Sequence, residues 1–153
     1  MRLSDFLKEN LPKFEWFTDS EKQLITLDGY DGADAILTNL RDSSYPVVLV
    51  EDMPDGYLSF EDGFLDNRVC SFWVIAPVKT ASKADKRKVM LECIAKGKQI
   101  MKLIVANSNF DEECEGLDRK RTPYSPRGPI GNNCYGYEFM PTFRTNIDML
   151  TDG

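Results

Sequence analysis

The chain contains no histidine. That removes Ser-His-Asp and Cys-His catalysis, the common zinc enzymes, and any histidine general base. No apolar run reaches about 18 residues, so no segment reads as a transmembrane helix. The start, Met1-Arg2-Leu3-Ser4-Asp5, breaks its apolar character with charge at once and does not read as a signal peptide. C-x-x-C spacing is absent. Cys70, Cys93, Cys114 and Cys134 lie 20 to 23 residues apart, which supports neither a zinc site nor haem attachment. Cys70 and Cys93 occupy apolar stretches, where a free cysteine acts as a small hydrophobe. Cys114 sits between Glu113 and Glu115, a setting that disfavours a thiolate. The expected state is four reduced thiols in a cytosol.

What is present is an ordinary folded composition: 153 residues, 42% hydrophobic and 29% charged, with 10 Gly and 8 Pro, enough for one domain. The net charge of −6 is unevenly spread. Residues 1–78 carry 6 basic against 15 acidic side chains, residues 79–102 carry 8 against 2, and residues 103–153 carry 5 against 8. An acidic chain is a poor generic partner for nucleic acid, since phosphate contacts need concentrated positive charge. The basic run at 79–102 reads as the solvated face of a helix.

Leu3, Phe6 and Leu7 are spaced for a short amphipathic helix stopped by Pro12. Residues 13–18, with Phe14 and Trp16 on one face and Phe17 on the other, read as a strand. A second extended run covers residues 23–27. The two form a hairpin, or else Asp19-Ser20-Glu21 caps a helical turn between them. Asp31 caps a helix carrying Ala33, Ile36, Leu37 and Leu40. Residues 46–51 form a continuous apolar run, the pattern of a strand covered on both faces. Residues 57–60 lie between two turns, and residues 68–78 read as one long central strand ending near Pro77. Ser82 opens a helix to about Val105, with Val89, Met90, Cys93, Ile94, Gly97, Ile100, Met101, Ile104 and Val105 on its apolar stripe. Gly97 lies on that stripe, where it costs about 1 kcal/mol relative to alanine, and its expected reason is a close contact with a sheet or another helix. Residues 107–133, acidic and then basic and broken by prolines, read as one long loop. Tyr135, Tyr137, Phe139 and Phe143 share a face of a final extended segment, followed by a polar tail at 146–153.

Carboxylates cluster at Glu51, Asp52 and Asp55 and again at Glu61, Asp62 and Asp66. Strand-end carboxylates suit Mg²⁺ or Ca²⁺. Pro54-Asp55 opens a metal-nuclease pattern, but the lysine it needs is Lys79, displaced beyond Pro77, and the pattern fails. The clusters read as solvated turns, and neither metal nor cofactor is predicted. Gly128, Gly131 and Gly136 lack the Gly-Lys-Ser/Thr of a phosphate loop and lead into a strand. Arg119, Lys120, Arg121, Tyr124 and Arg127 form the candidate interface. They suit phosphate contact with stacking, or, favoured by the acidity of residues 1–78, docking onto a second copy of the chain.

The predicted class is α+β over residues 1–153 as a single domain: an antiparallel or mixed sheet with a long amphipathic helix packed on one face. The element order resembles the tail terminator or tail-completion proteins of long-tailed bacteriophages, on the Val47–Glu51 strand, the 69–78 strand leading into the long helix, and the late loop returning to a terminal strand. The resemblance implies a non-enzymatic homo-oligomer, a hexameric ring, that caps the tail tube and meets the head-side connector. It implies a place in the host cytoplasm and then the virion. No membrane contact is expected, and residues 111–131 are expected to order at a subunit interface. The rival reading is a small intracellular ferredoxin-like binding or regulatory domain. Catalysis ranks third, because the usual acid, base and nucleophile candidates are missing.

Overall fold

A computed structural model describes residues 2–27, 46–51, 55–60, 63–80, 82–107, 116–131 and 133–146. The expected helix after Asp31, the turn carboxylates Asp52, Glu61 and Asp62, Cys114 and the polar tail from 147 lie outside the described residues.

Helix α1 (Leu3–Asn10) buries Leu3, Phe6 and Leu7. It passes into a 3-10 turn (Leu11–Lys13) with Pro12 in its first turn, where a missing N–H costs nothing. Residues 13–18 are not a strand. The buried side chain of Gln23 organises them instead. Its Oε1 accepts from the backbone N–H of Thr18 at 2.7 Å and of Asp19 at 2.9 Å, and its Nε2 donates to the Trp16 and Pro46 carbonyls at 3.0 Å each. Backbone groups that a ladder would satisfy are met by one amide. Of the two alternatives at 19–21, the helical turn is the one formed: α2 (Ser20–Gln23), with the Asp19 side chain accepting from Glu21 N–H.

Among the described residues nine strands follow: β1 (Leu24–Leu27), β2 (Val47–Glu51), β3 (Asp55–Ser59), β4 (Leu65–Val69), β5 (Phe72–Pro77), β6 (Gly116–Leu117), β7 (Tyr124–Ile130), β8 (Cys134–Phe139) and β9 (Thr142–Asn146). They form a five-stranded sheet, β1-β2-β5-β8-β7, and a four-stranded sheet, β3-β4-β9-β6. Among these described strands β1 and β2 pair in parallel and the other pairs are antiparallel. The predicted α+β class, with mixed strands and one long helix on the sheet, is what the chain adopts.

The two sheets are halves of one bent ribbon. Leu65 faces Asn146 and Val69 faces Thr142 in one half; Phe72 faces Phe139 and Pro77 faces Cys134 in the other, with no slip of register between them. The Cys70 N–H donates to the Pro141 carbonyl at 2.9 Å across the corner. The run at 68–78 is therefore two strands, and 134–146 likewise, each broken at a corner where the chain changes sheets. The same two corners divide their neighbours' pairing: β2 pairs with β5 and β3 with β4, and β6 pairs with β9 and β7 with β8.

Residues 107–133 are not one loop. β6 and β7 lie within them, and β7 carries Pro126 and Pro129. The prolines are compatible with a strand because β7 is the edge of its sheet, where a missing N–H breaks no ladder, and its register shifts between Arg127 and Ile130.

The long helix, α3 (Lys83–Ala106), starts where Ser82 Oγ accepts from the Ala84 and Asp85 N–H groups at 3.1 and 3.4 Å. It packs on β5 and β8. Cys93, Gly97, Ile100 and Ile104 are buried; Val89, Ile94 and Met101, expected to be buried, are half-buried, and Val105 is exposed. The buried stripe is narrower than the apolar one because only one row of the helix faces the sheet. α1, through Leu3, Phe6 and Leu7, and the 3-10 turn, through Leu11, join the same core beside Val48, Val50, Phe72, Val74 and Phe139. The opposite sheet face buries Leu27, Val47, Leu49, Ile75 and Cys134. Among the described residues no helix is long and apolar enough to cross a membrane.

Candidate functional site

The helix row next to the buried one carries Lys98, Met101, Lys102, Val105 and Ala106, at helical spacings of three and four. Opposite it stand Leu117, Asp118, Arg119, Arg121, Thr122 and Tyr124, and between the two lies Phe139. Together they line a groove of about 590 Å³. Its floor is apolar, from Met101, Val105, Leu117, Tyr124 and Phe139. Four cations, Lys98, Lys102, Arg119 and Arg121, surround it, with Asp118 as the one carboxylate in the lining.

The walls are held by local interactions. Asp118 accepts from Arg144 Nη2 at 3.4 Å and from the Lys120 N–H at 3.0 Å, which fixes the turn between β6 and β7. The Asp118 N–H donates to the Thr142 carbonyl, and the Met140 N–H to the Pro123 carbonyl. Tyr124 stands 5.6 Å from Phe139 and 5.9 Å from Tyr137, ring centre to ring centre. Lys98 Nζ lies 5.8 Å from the centre of the Tyr124 ring. Lys86 over Tyr135 and Lys96 over Trp16 repeat the arrangement along the helix. Three of the lysines read as a solvated face thus cover aromatic rings with their charge.

The five candidate interface residues divide. Arg119, Arg121 and Tyr124 line the groove; Lys120 is exposed beside it. Arg127 belongs elsewhere. Its Nη2 lies 2.8 Å from Glu138 Oε1 and its guanidinium is 5.9 Å from the Trp73 ring centre, on the sheet face away from the groove. Alternation along β7 explains the separation, because neighbouring positions point to opposite faces. Glu138 is buried, accepts from Ser71 Oγ at 2.5 Å, and Ser71 in turn accepts from Trp73 Nε1 at 3.0 Å. The contribution of Lys98 and Lys102 went unseen in sequence, although their spacing with Met101 and Val105 carries the signal.

A second apolar surface occupies the β3–β4 hairpin. Tyr57 and Phe60 are 53% and 63% exposed, Leu58 and Phe64 are exposed beside them, and the Phe60 and Phe64 rings meet edge to face at 4.8 Å. Residues 55–69 hold Asp55, Glu61, Asp62 and Asp66 against one basic residue, Arg68. β3 is one edge of its sheet and β6 the other, so hairpin and groove lie at opposite edges, about 14 Å apart across three strand spacings.

The thiols offer no nucleophile among the described residues. Cys70, Cys93 and Cys134 are buried. Burial pushes the Cys93 thiol up to about 12, against a smaller opposing pull from Lys96. No three His, Cys, Asp or Glu side chains gather as metal ligands among the described residues. No family model, curated protein or solved structure matches the chain.

Proposed function

We propose that this chain is a structural subunit that assembles head to tail into a ring, as a bacteriophage tail terminator or neck protein capping a tail tube and meeting the head-side connector. The observation that carries the reading is the placement of exposed apolar side chains. Among the described residues, all the exposed large apolar side chains except Leu91 gather on an acidic hairpin at one edge of the sheet or in a basic-rimmed groove at the other. Exposed aromatic clusters of this kind mark interaction surfaces. Two unlike surfaces on opposite edges make a heterologous contact, which closes into a ring when the rotation between neighbours allows it. The tail-terminator form of this reading rests on what remains of the resemblance in element order, β2 and the β5 strand leading into α3.

Sedimentation velocity and native mass spectrometry across a concentration series test it. The expected result is a closed species of several 17.5 kDa subunits, visible as rings by electron microscopy. A monomer at every concentration would sink the reading. The groove's volume favours a second reading, a small ligand-binding domain, because pockets of this size and apolar character hold small molecules. A monomer whose groove takes up a hydrophobic anion would establish that reading in its place.

A further inference from the structure

We infer that the β3–β4 hairpin of one copy seats its Phe60–Phe64 pair in the groove between α3 and β6–β7 of the next copy. The inference rests on the head-to-tail reading and names the two segments that meet. The strongest support is charge. The hairpin, residues 55–69, carries four carboxylates against one cation, Arg68, whose Nη2 donates to Thr145 Oγ1 on the neighbouring strand, whereas the groove lining carries Lys98, Lys102, Arg119 and Arg121 against the single Asp118, which is already paired with Arg144. Potentials of opposite sign steer and fix the register of such a contact. The apolar parts match as well. An edge-to-face aromatic pair stands at the end of the hairpin, and the groove offers Tyr124, Met101 and Val105 as its floor. Desolvated aromatics set in a ring of polar contacts are where interface energy concentrates.

The occupant is a second copy rather than the chain's own hairpin. β4 and β9 separate β3 from β6, so the two surfaces of one copy face outward from opposite edges. A neighbour displaced sideways along the sheet presents its hairpin edge to this groove edge.

Two variants test the contact. Phe60→Ser with Phe64→Ser removes the aromatic pair; Lys98→Glu with Arg121→Glu reverses the groove rim. All four side chains are exposed, so thermal unfolding should match the unaltered protein and confirm folding. Each variant alone should raise the concentration for half-assembly about tenfold or more. Mixing the two is the sharper test. The hairpin variant keeps a groove and the groove variant keeps a hairpin, so an equimolar mixture should give one-to-one dimers and nothing larger. Assembly of both variants at the original concentration, in an unaltered protein that does form rings, overturns this contact and leaves the ring reading standing. An unaltered protein that stays monomeric overturns both. A short single-stranded oligonucleotide that binds the unaltered chain and not the Lys98→Glu, Arg121→Glu variant, with assembly unaffected by either pair, assigns the groove to nucleic acid and also overturns the contact.

Discussion

Gly97 lies directly against the ring of Phe139: a Cβ placed on the glycine would stand 2.0 Å from Phe139 Cε2. That ring is itself held from the other side, stacked on Phe72 at 5.2 Å with only 6° between the planes. Helix α3 approaches the sheet this closely because position 97 has no side chain. Gly97→Ala should therefore destabilise the protein by roughly 1–3 kcal/mol through overpacking, despite alanine's advantage of about 1 kcal/mol in helix propensity. Urea denaturation checks the sign, and a more stable variant would refute the close approach.

Ile100 is fully buried on the same row, while Val105, one row over, is exposed. Ile100→Ala should cost roughly 2–5 kcal/mol, and Val105→Ala less than about 0.5 kcal/mol. Equal effects in chemical denaturation would mean that the helix is rotated from the orientation described.

The Cys93 thiol predicts a pH dependence. Its folded-state value, pushed by burial from 9.0 to about 12, exceeds that of the unfolded chain. The folded state thus holds the proton more tightly, so this contribution is complete below pH 9 and is lost as pH rises from 9 towards 12. The slope approaches about 1.4 kcal/mol per pH unit from this one group. Cys93→Ala should unfold with a shallower alkaline slope than the unaltered protein. Parallel slopes between pH 9 and 11 would count against the burial.

Glu138 and Arg127 should not be equivalent. Glu138 is buried and also accepts from Ser71, whereas the Arg127 side chain is 38% exposed and can be hydrated when unpaired. Arg127→Ala leaves the buried Glu138 carboxylate without its guanidinium and should cost about 3–5 kcal/mol, whereas Glu138→Ala leaves a guanidinium that water can reach and should cost about 1–3 kcal/mol. Thermal and urea unfolding of both variants measures the difference, and the reverse order would contradict the geometry.

Elements whose information is local were legible beforehand. Helix α3 announced itself by Ser82 and the periodic row through Ile104, because capping and helical spacing act within a few residues. The apolar run at β2 was equally plain, since a strand covered on both faces needs no alternation. Residues 13–18 misled because aromatic alternation imitates a strand, and the contacts of Gln23 that fold them otherwise are not written in local pattern. The prolines of β7 misled because whether proline breaks a strand depends on whether the strand is an edge.

The amino-acid order by itself determined the α+β class, the long helix and its cap, the absence of histidine chemistry, and the sign of charge along each stretch. These follow from propensity, spacing and composition, which need no partner. Tertiary structure alone decided that 65–77 and 134–146 turn their corners together, that Arg127 leaves Arg119, Arg121 and Tyr124 for Glu138, and that Lys98 and Lys102 join the groove. Each depends on which segment lies beside which. Neighbours brought together by burying apolar surface are separated by tens of residues in sequence, and hydrophobic burial is non-directional, so residue order does not spell out the pairing.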